Sequence, residues 1–200
     1  SQSFGNELIN PSGLVMRDYW VVEGGVHAKD FNVGADTPQD AREMADVTRR
    51  LAHMDELGVD VQVLYPTLWL RPVAKSAAAE LALCRSYNRW LADFCAEAPG
   101  RRAGVAQIFL PNIEGSVKEI RWAKEHGLTG GVLLPGAPPG SRLPPLYAPD
   151  YEPIWQVCEE LEMPINHHSG GGTPDFGMYL PHSLAVYMVE VTWWAQRTLW

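Results

Sequence analysis

Between residues 37 and 168 the chain alternates four times between a stretch of helical periodicity and a short apolar run rich in β-branched residues. The connections are too long for hairpins, so successive strands must run the same way, and the helices must pack outside the sheet they form. The first helix is expected to open at Thr37-Pro38, with Asp40 in its first turn, and to run through Met44, Val47, Leu51 and Met54 to a stop at Gly58. The Val-rich strand 59–66 follows. A second helix over 76–96 puts Leu81, Cys84, Tyr87, Leu91 and Phe94 on one face, ends at Pro99-Gly100, and leads into a strand over 104–110. A third helix over 114–126 stops at Gly127 before the strand Gly131-Val132-Leu133-Leu134. The fourth, through Ile154, Val157, Cys158 and Leu161, feeds Met163-Pro164-Ile165-Asn166-His167-His168.

An all-parallel sheet closes in one of two ways, as a doubly wound open layer or as a (β/α)8 TIM barrel. No Gly-x-Gly-x-x-Gly follows any of these strands and no Gly-x-x-x-x-Gly-Lys-Ser/Thr occurs, which removes the usual support for a nucleotide-binding open sheet. The expected fold class is therefore α/β, a (β/α)8 barrel. A full barrel takes about 250 residues, so only about half of its strands are expected in this chain. Residues 37–200 are assigned to this partial barrel. Residues 1–36, with the β-like run Tyr19-Trp20-Val21-Val22 followed by Gly24-Gly25, read as a loop or hairpin excursion. The chain starts without an initiator Met or a signal pattern and stops at Trp200 within an apolar aromatic run, which reads as a fragment.

Composition narrows the partners. Sixteen Lys and Arg against 24 Asp and Glu give a net charge of −8, and the only adjacent basic pairs are Arg49-Arg50 and Arg101-Arg102, so no footprint for nucleic acid is present. The most apolar stretch, 184–195, is interrupted by Glu190 and is shorter than the ~20 residues of a membrane span. Cys84 and Cys95 lie about three turns apart on one helix, too far to bridge. With Cys158 they fit reduced thiols in a cytoplasmic setting.

Reactive groups in parallel α/β folds gather at the C-terminal ends of strands, where the loops converge over an open mouth. The sharpest such end is His167-His168-Ser169-Gly170. Side chains alternate along a strand, so if Ile165 packs outward against the helices, Asn166 and His168 face the barrel interior. An imidazole there is suited to ligating zinc, iron or manganese, with a hydrogen-bonded structural histidine as the competing reading. Tyr65 and Thr67 lie at the mouth of strand 59–66, although the opposite parity would pack Tyr65 outward with Val61 and Val63. Arg71, just beyond, could clamp a substrate carboxylate through two parallel hydrogen bonds, or could be a solvated loop residue. His53 and His126 fall at helix ends, and His27 and His182 in loops or at a helix start. Tyr187, Trp193, Trp194 and Trp200 read as core or subunit interface.

The run from Leu51 through His53-Met54-Asp55-Glu56-Leu57-Gly58 to Tyr65-Pro66-Thr67, then Cys84-Arg85-Ser86-Tyr87-Asn88-Arg89-Trp90-Leu91, Gly131-Val132-Leu133-Leu134-Pro135 and the segment 164–170, taken in that order, resembles the amidohydrolase-2 branch of the amidohydrolase superfamily. That branch contains aminocarboxymuconate-semialdehyde decarboxylase and the resorcylate-type decarboxylases. The resemblance implies a (β/α)8 barrel holding a divalent metal, zinc or manganese, and a small, aromatic carboxylate as substrate, with non-oxidative decarboxylation or hydrolysis as the reaction and a homo-oligomer as a common assembly. It also implies that His168 is the metal ligand ending the fifth strand; Tyr65, Thr67, Arg71 and Asn166, by their places at the strand ends, are the substrate-binding candidates. No His-x-His, the ligand pair of the first strand in many members, occurs in the chain. Three alternatives stand beside this. One is an esterase-like hydrolase using the His168-to-Gly172 loop, but the Gly-x-Ser-x-Gly elbow it needs is missing from the sequence. The others are a metal-free anion-binding module on the glycine run and a catalytically incomplete barrel fragment.

Overall fold

The computed structural model describes residues 2–3, 19–28, 46–66, 70, 72–135, 143–168, 185–186, 188–190 and 193. An antiparallel sheet near the N-terminus contains β1 (Gln2–Ser3), β2 (Tyr19–Val22) and β3 (Gly25–Ala28), with β2 in the centre. The two-residue turn Glu23-Gly24 has φ of 46° and 74°, the positive values that match the twist of a tight hairpin. His27, expected in a loop, is on β3 opposite Trp20.

The rest alternates helix and strand in the expected order: α1 (Val47–Glu56), β4 (Gln62–Leu64), α2 (Ala77–Ala96), β5 (Arg102–Gln107), α3 (Ile113–Glu125), β6 (Gly131–Leu134), a 3₁₀ turn (Pro149–Tyr151), α4 (Glu152–Glu160) and β7 (Ile165–His167). The strands form one parallel sheet in sequence order. Three of the helices open on a side-chain cap. Asp46, Ser76 and Asn112 accept hydrogen bonds from the backbone N–H groups of Arg49, Ala79 and Gly115 at 3.1, 3.2 and 2.8 Å.

The first of these caps corrects an expectation. Asp46 has extended backbone angles (φ −120°, ψ 113°), so no single helix runs from Pro38 to Gly58, and the helix begins where the Asp46 carboxylate can meet its first free N–H groups. The expected start at Thr37 lies outside the described residues. The strands are also shorter than their apolar runs: Leu64↔Gly104 is the last pair between β4 and β5 among the described residues.

Register sorts the strand residues into two faces. Leu64, Ala106, Val132 and Leu134 pack in one core with Leu91 of α2, Ile120 and Ala123 of α3, and Ile154 and Val157 of α4. Each fully buried Leu or Ile there contributes about 1.5–3 kcal/mol. Gly104 is on this same face. A Cβ on it would come within 2.8 Å of the Leu91 and Leu128 side chains, so its bare backbone is what lets α2 approach the sheet.

The opposite face curves inward. In a flat sheet β4 and β7, separated by two strands, would be about 14 Å apart, and side chains standing perpendicular to it could not close that gap. The Tyr65 hydroxyl nevertheless donates to Asn166 Oδ1 at 2.6 Å. The sheet is a curled half-barrel, helices outside.

Candidate functional site

The register places Val63 beside Ala103, Val105 beside Gly131, and Gln107, Leu133 and Asn166 in one row across β5, β6 and β7. These residues line the concave face, with Tyr65 one residue past the end of β4 and His168 one past the end of β7. Ile165 and His167 are on the other side, level with Val132 and Leu134. The alternation expected for β7 therefore holds, and His168 is on the inner face at the C-terminal rim. Ile165, although on the helix side, is 43% exposed.

Tyr65 turns inward, not outward. It shares the concave face with Val63, while Leu64 between them joins the helix core. Its ring sits 5.9 Å from that of His168 at an angle of 60°, and its hydroxyl bonds to Asn166. Asn166 is held from behind, its Nδ2 donating to the carbonyls of Gly130 at 2.8 Å and Val132 at 3.3 Å. Three of the five expected site residues thus converge. Thr67 and Arg71, the other two, lie outside the described residues, as do His182, Tyr187, Trp194 and Trp200.

Gly131 makes this arrangement feasible. It has φ +95°, and an added Cβ would lie 2.1 Å from the Pro164 carbonyl oxygen and 2.9 Å from Asn166 Nδ2. Where Tyr65 reaches across toward β7, β6 offers no side chain to block it.

The other histidines and the cysteines of the helix–strand units are placed as follows. Burial, and next the charge of His168 beside it, hold the His167 imidazole below its ordinary range. His126 stacks on Trp122 with ring centroids 4.0 Å apart, and its Nδ1 lies 2.8 Å from the Trp122 carbonyl oxygen, an arrangement that finishes α3. Cys84, Cys95 and Cys158 are free and buried.

Gln107 was not singled out from the sequence. Its side chain is in the same inner row as Asn166, and Gln107 is 1% exposed. Strand parity would have found it, because Ala106 and Ile108 on either side belong to the helix-facing core.

The motif Cys84-Arg85-Ser86-Tyr87-Asn88-Arg89-Trp90-Leu91 has an architectural role in this fold. Asn88 bonds to the backbone of Gln107 and to Glu119 of α3. Arg85 and Arg89 pair with the same buried carboxylate, and Arg89 also lies over the Trp122 ring at 3.7 Å.

As a metal centre the inner face supplies, among the described residues, one fitting donor, the exposed imidazole of His168. Among the described residues no group of three or more His, Cys, Asp or Glu is gathered to complete a coordination shell. No helix among them is long and apolar enough to cross a membrane.

Comparison with known proteins bears on the family and the fold. A curated γ-resorcylate decarboxylase from Rhizobium radiobacter is 29% identical over 157 residues, covering 74% of this chain and 46% of the relative. A solved structure of an amidohydrolase from Staphylococcus aureus matches with a TM-score of 0.57 and 25% identity, over 74% of this chain and 49% of that one. A 5-carboxyvanillate decarboxylase from Novosphingobium aromaticivorans, solved with manganese and a nitrobenzoic acid, matches with a TM-score of 0.55 and 26% identity, over 69% and 39%. The chain spans about half the length of the curated relatives it matches. The sequence pattern of the family described as Amidohydrolase covers residues 19–198, and the chain belongs to that family.

Proposed function

We propose that this protein is a divalent-metal-dependent carboxy-lyase that decarboxylates a small aromatic carboxylate without an oxidant. The observation that carries the reading is the placement of His168 on the concave face, at the C-terminal rim, beside Tyr65 and Asn166. Membership of the amidohydrolase family supports it, as do relatives named γ-resorcylate decarboxylase. The manganese in the related carboxyvanillate enzyme supports a metal of the zinc or manganese type.

In this reading His168 contributes one ring nitrogen to the metal, and the described residues contribute no further ligand set. A bound divalent metal supplies Lewis acidity to the oxygens of the substrate. The chain's own residues bind and orient. Tyr65 meets the substrate's polar edge, held in place by Asn166. Arg71 anchors a carboxylate bidentately, and Thr67 offers its hydroxyl to the substrate. Three buried free thiols suit a reducing, cytoplasmic setting.

The test is His168→Ala in the full-length protein, with metal content by mass spectrometry and carbon dioxide release from dihydroxybenzoates and 5-carboxyvanillate. Loss of bound metal together with a fall in release of about a hundredfold or more is expected. Unchanged metal content in the variant, or no release by the metal-loaded wild type from any of these acids, overturns the reading.

A further inference from the structure

The two adjacent basic pairs of the sequence, Arg49-Arg50 and Arg101-Arg102, each send one arginine to the same place in the fold. Arg102 opens β5 and is paired in register with Gln62, which opens β4. By strand alternation both side chains take the helix side of the sheet, with Leu64, Gly104 and Ala106. Arg50 of α1 donates its Nε to Gln62 Oε1 at 3.1 Å. The guanidinium carbon of Arg102 stands 3.8 Å from the centroid of the Phe94 ring of α2, and Trp90 stacks on that ring at 5.4 Å and 14°. The Arg102 side chain is 0% exposed. A contact over an aromatic face uses the charge of the cation and none of its N–H groups. A guanidinium has five of these, set in a planar fork, and it does not shed its proton. Among the described residues, the Arg102 nitrogens Nε, Nη1 and Nη2 have no hydrogen-bond acceptor. Glu97 Oε2 is 3.6 Å from Nη2, beyond hydrogen-bond reach, and its side chain is 57% exposed, so water screens the pair. Arg50 adds a second positive charge: burial, and next the charge of Arg102, hold it below the ordinary arginine value. Buried cations are normally paired and hydrogen-bonded, and here a fork of donors is aimed at no acceptor.

We propose that Arg102 and Arg50, with Gln62 between them, form a binding site for a small oxyanion, a phosphate or a carboxylate, between the sheet and the helices α1 and α2. The forked N–H edge of Arg102 matches two oxygens of such a group at once, a fit that a spherical chloride does not offer. Arg50 supplies the second positive charge, and Phe94 covers the face of Arg102 that makes no hydrogen bonds. Glu97 and Arg50 both reach solvent, so rotation of these two side chains opens a way in without movement of the backbone. Arg102 and Gln107 are the first and last residues of β5, and at about 3.3 Å per residue they are roughly 16 Å apart. The anion site is thus at the N-terminal end of the strands and on their outer side, away from the concave row of Gln107 and Asn166. It is independent of the proposed reaction. Its effect is to stabilise the fold whenever the anion is bound.

The test titrates the full-length protein calorimetrically with inorganic phosphate and, separately, with acetate, each in a chloride buffer of constant ionic strength. Chloride throughout keeps screening the same in every arm. At least one of the two oxyanions is expected to bind with a dissociation constant of about 1 mM or tighter. At about twenty times that concentration it should raise the unfolding midpoint by about 2 °C or more. Binding of phosphate alone identifies the ligand as a phosphate, and binding of acetate alone as a carboxylate; either upholds the site. Arg102→Met retains a long apolar stem against Phe94 and removes every donor. It should weaken binding by about tenfold or more, and the oxyanion should leave its unfolding midpoint in place. Should Arg102→Met fail to fold, Arg50→Gln, a change at a partly exposed side chain, decides alone, and it too should weaken binding by about tenfold. No binding of either oxyanion by the wild type overturns the inference. So does wild-type affinity in Arg102→Met, or in Arg50→Gln where that variant decides, because the anion then sits elsewhere on the molecule.

Discussion

The side-chain amide of Asn88 completes the backbone of Gln107 as a neighbouring strand would, its Oδ1 accepting from the Gln107 N–H at 2.7 Å and its Nδ2 donating to the Gln107 carbonyl at 2.9 Å. Among the described residues, pairing between β4 and β5 ends at Gly104, and the last residue of β5 has no strand partner on that side. A helix residue takes the place of the strand. The same Nδ2 reaches Glu119 at 3.1 Å, so a buried carboxylate of α3 is tied to α2 and to the end of the strand whose Gln107 lines the concave face.

Asn88→Ala should therefore destabilise the fold by about 2–4 kcal/mol, since it orphans a buried N–H and a buried C=O together and takes a donor from Glu119. Urea denaturation followed by circular dichroism measures it. A loss below about 0.5 kcal/mol, the level of an ordinary surface change, would show that water replaces the amide at no cost.

Much of this organisation is legible in the sequence, for identifiable reasons. Helix-strand order shows because apolar spacing and the Gly stops at 58, 100 and 127 are local signals, and the inward aim of His168 follows from strand alternation once Ile165 is set on the helix side. The Tyr65–Asn166 bond is not legible, because it spans 101 residues and depends on sheet curvature, which no local pattern encodes. The role of Asn88 and Arg89 is hidden for the same reason: Glu119 is about 30 residues away in sequence and the contact exists only once α2 and α3 pack. The start of α1 was misplaced because Thr37-Pro38 carries a complete start signal, while Asp46 carries a second one closer to the helix that forms.

Gly131→Ala tests the niche behind the site. The substitution puts a Cβ at a positive φ and within 2.1 Å of a backbone oxygen, so backbone must move. A loss of about 3 kcal/mol or more is expected from strain and overpacking combined. Because the new methyl also meets Asn166 Nδ2, the variant should weaken binding of hydroxybenzoates even at temperatures where it stays folded. Calorimetric titration of the folded variant checks this, and wild-type affinity would show that Asn166 is anchored independently of Gly131.

Burial makes the thiols poor nucleophiles. It pushes Cys84 up to about 12, with the nearby Glu80 carboxylate adding to the effect, and pushes Cys158 up to about 11, from an ordinary value of 9.0. At neutral pH that leaves Cys84 with about a thousandfold less thiolate than a free cysteine, before access is considered. Native protein at pH 8 should react negligibly with a disulfide reagent over minutes, and guanidinium should release three thiols per chain. Rapid titration of one or more in the native protein would show that the core around α2 or α4 opens readily.

Acid should detach the N-terminal hairpin before it unfolds the half-barrel. Glu23, in the β2–β3 turn, accepts from the N–H and hydroxyl of Ser76 at 2.9 and 2.8 Å and from the Lys75 N–H at 2.7 Å, at the start of α2. The Ser76 N–H, then its hydroxyl, then the Lys75 N–H hold the carboxyl below its ordinary 4.5. A carboxyl depressed by folding contributes stability that is fully present above its unfolded value and is lost as pH falls through its folded one. The docked hairpin is thus expected to persist at neutral pH and to let go only below 4.5. The amide resonances of Lys75 and Ser76 report this directly: they should titrate with a midpoint below 4.5 in the wild type and lose that titration in Glu23→Gln. A midpoint at or above 4.5, or the same titration in the variant, would mean that some other group secures the hairpin to the helix.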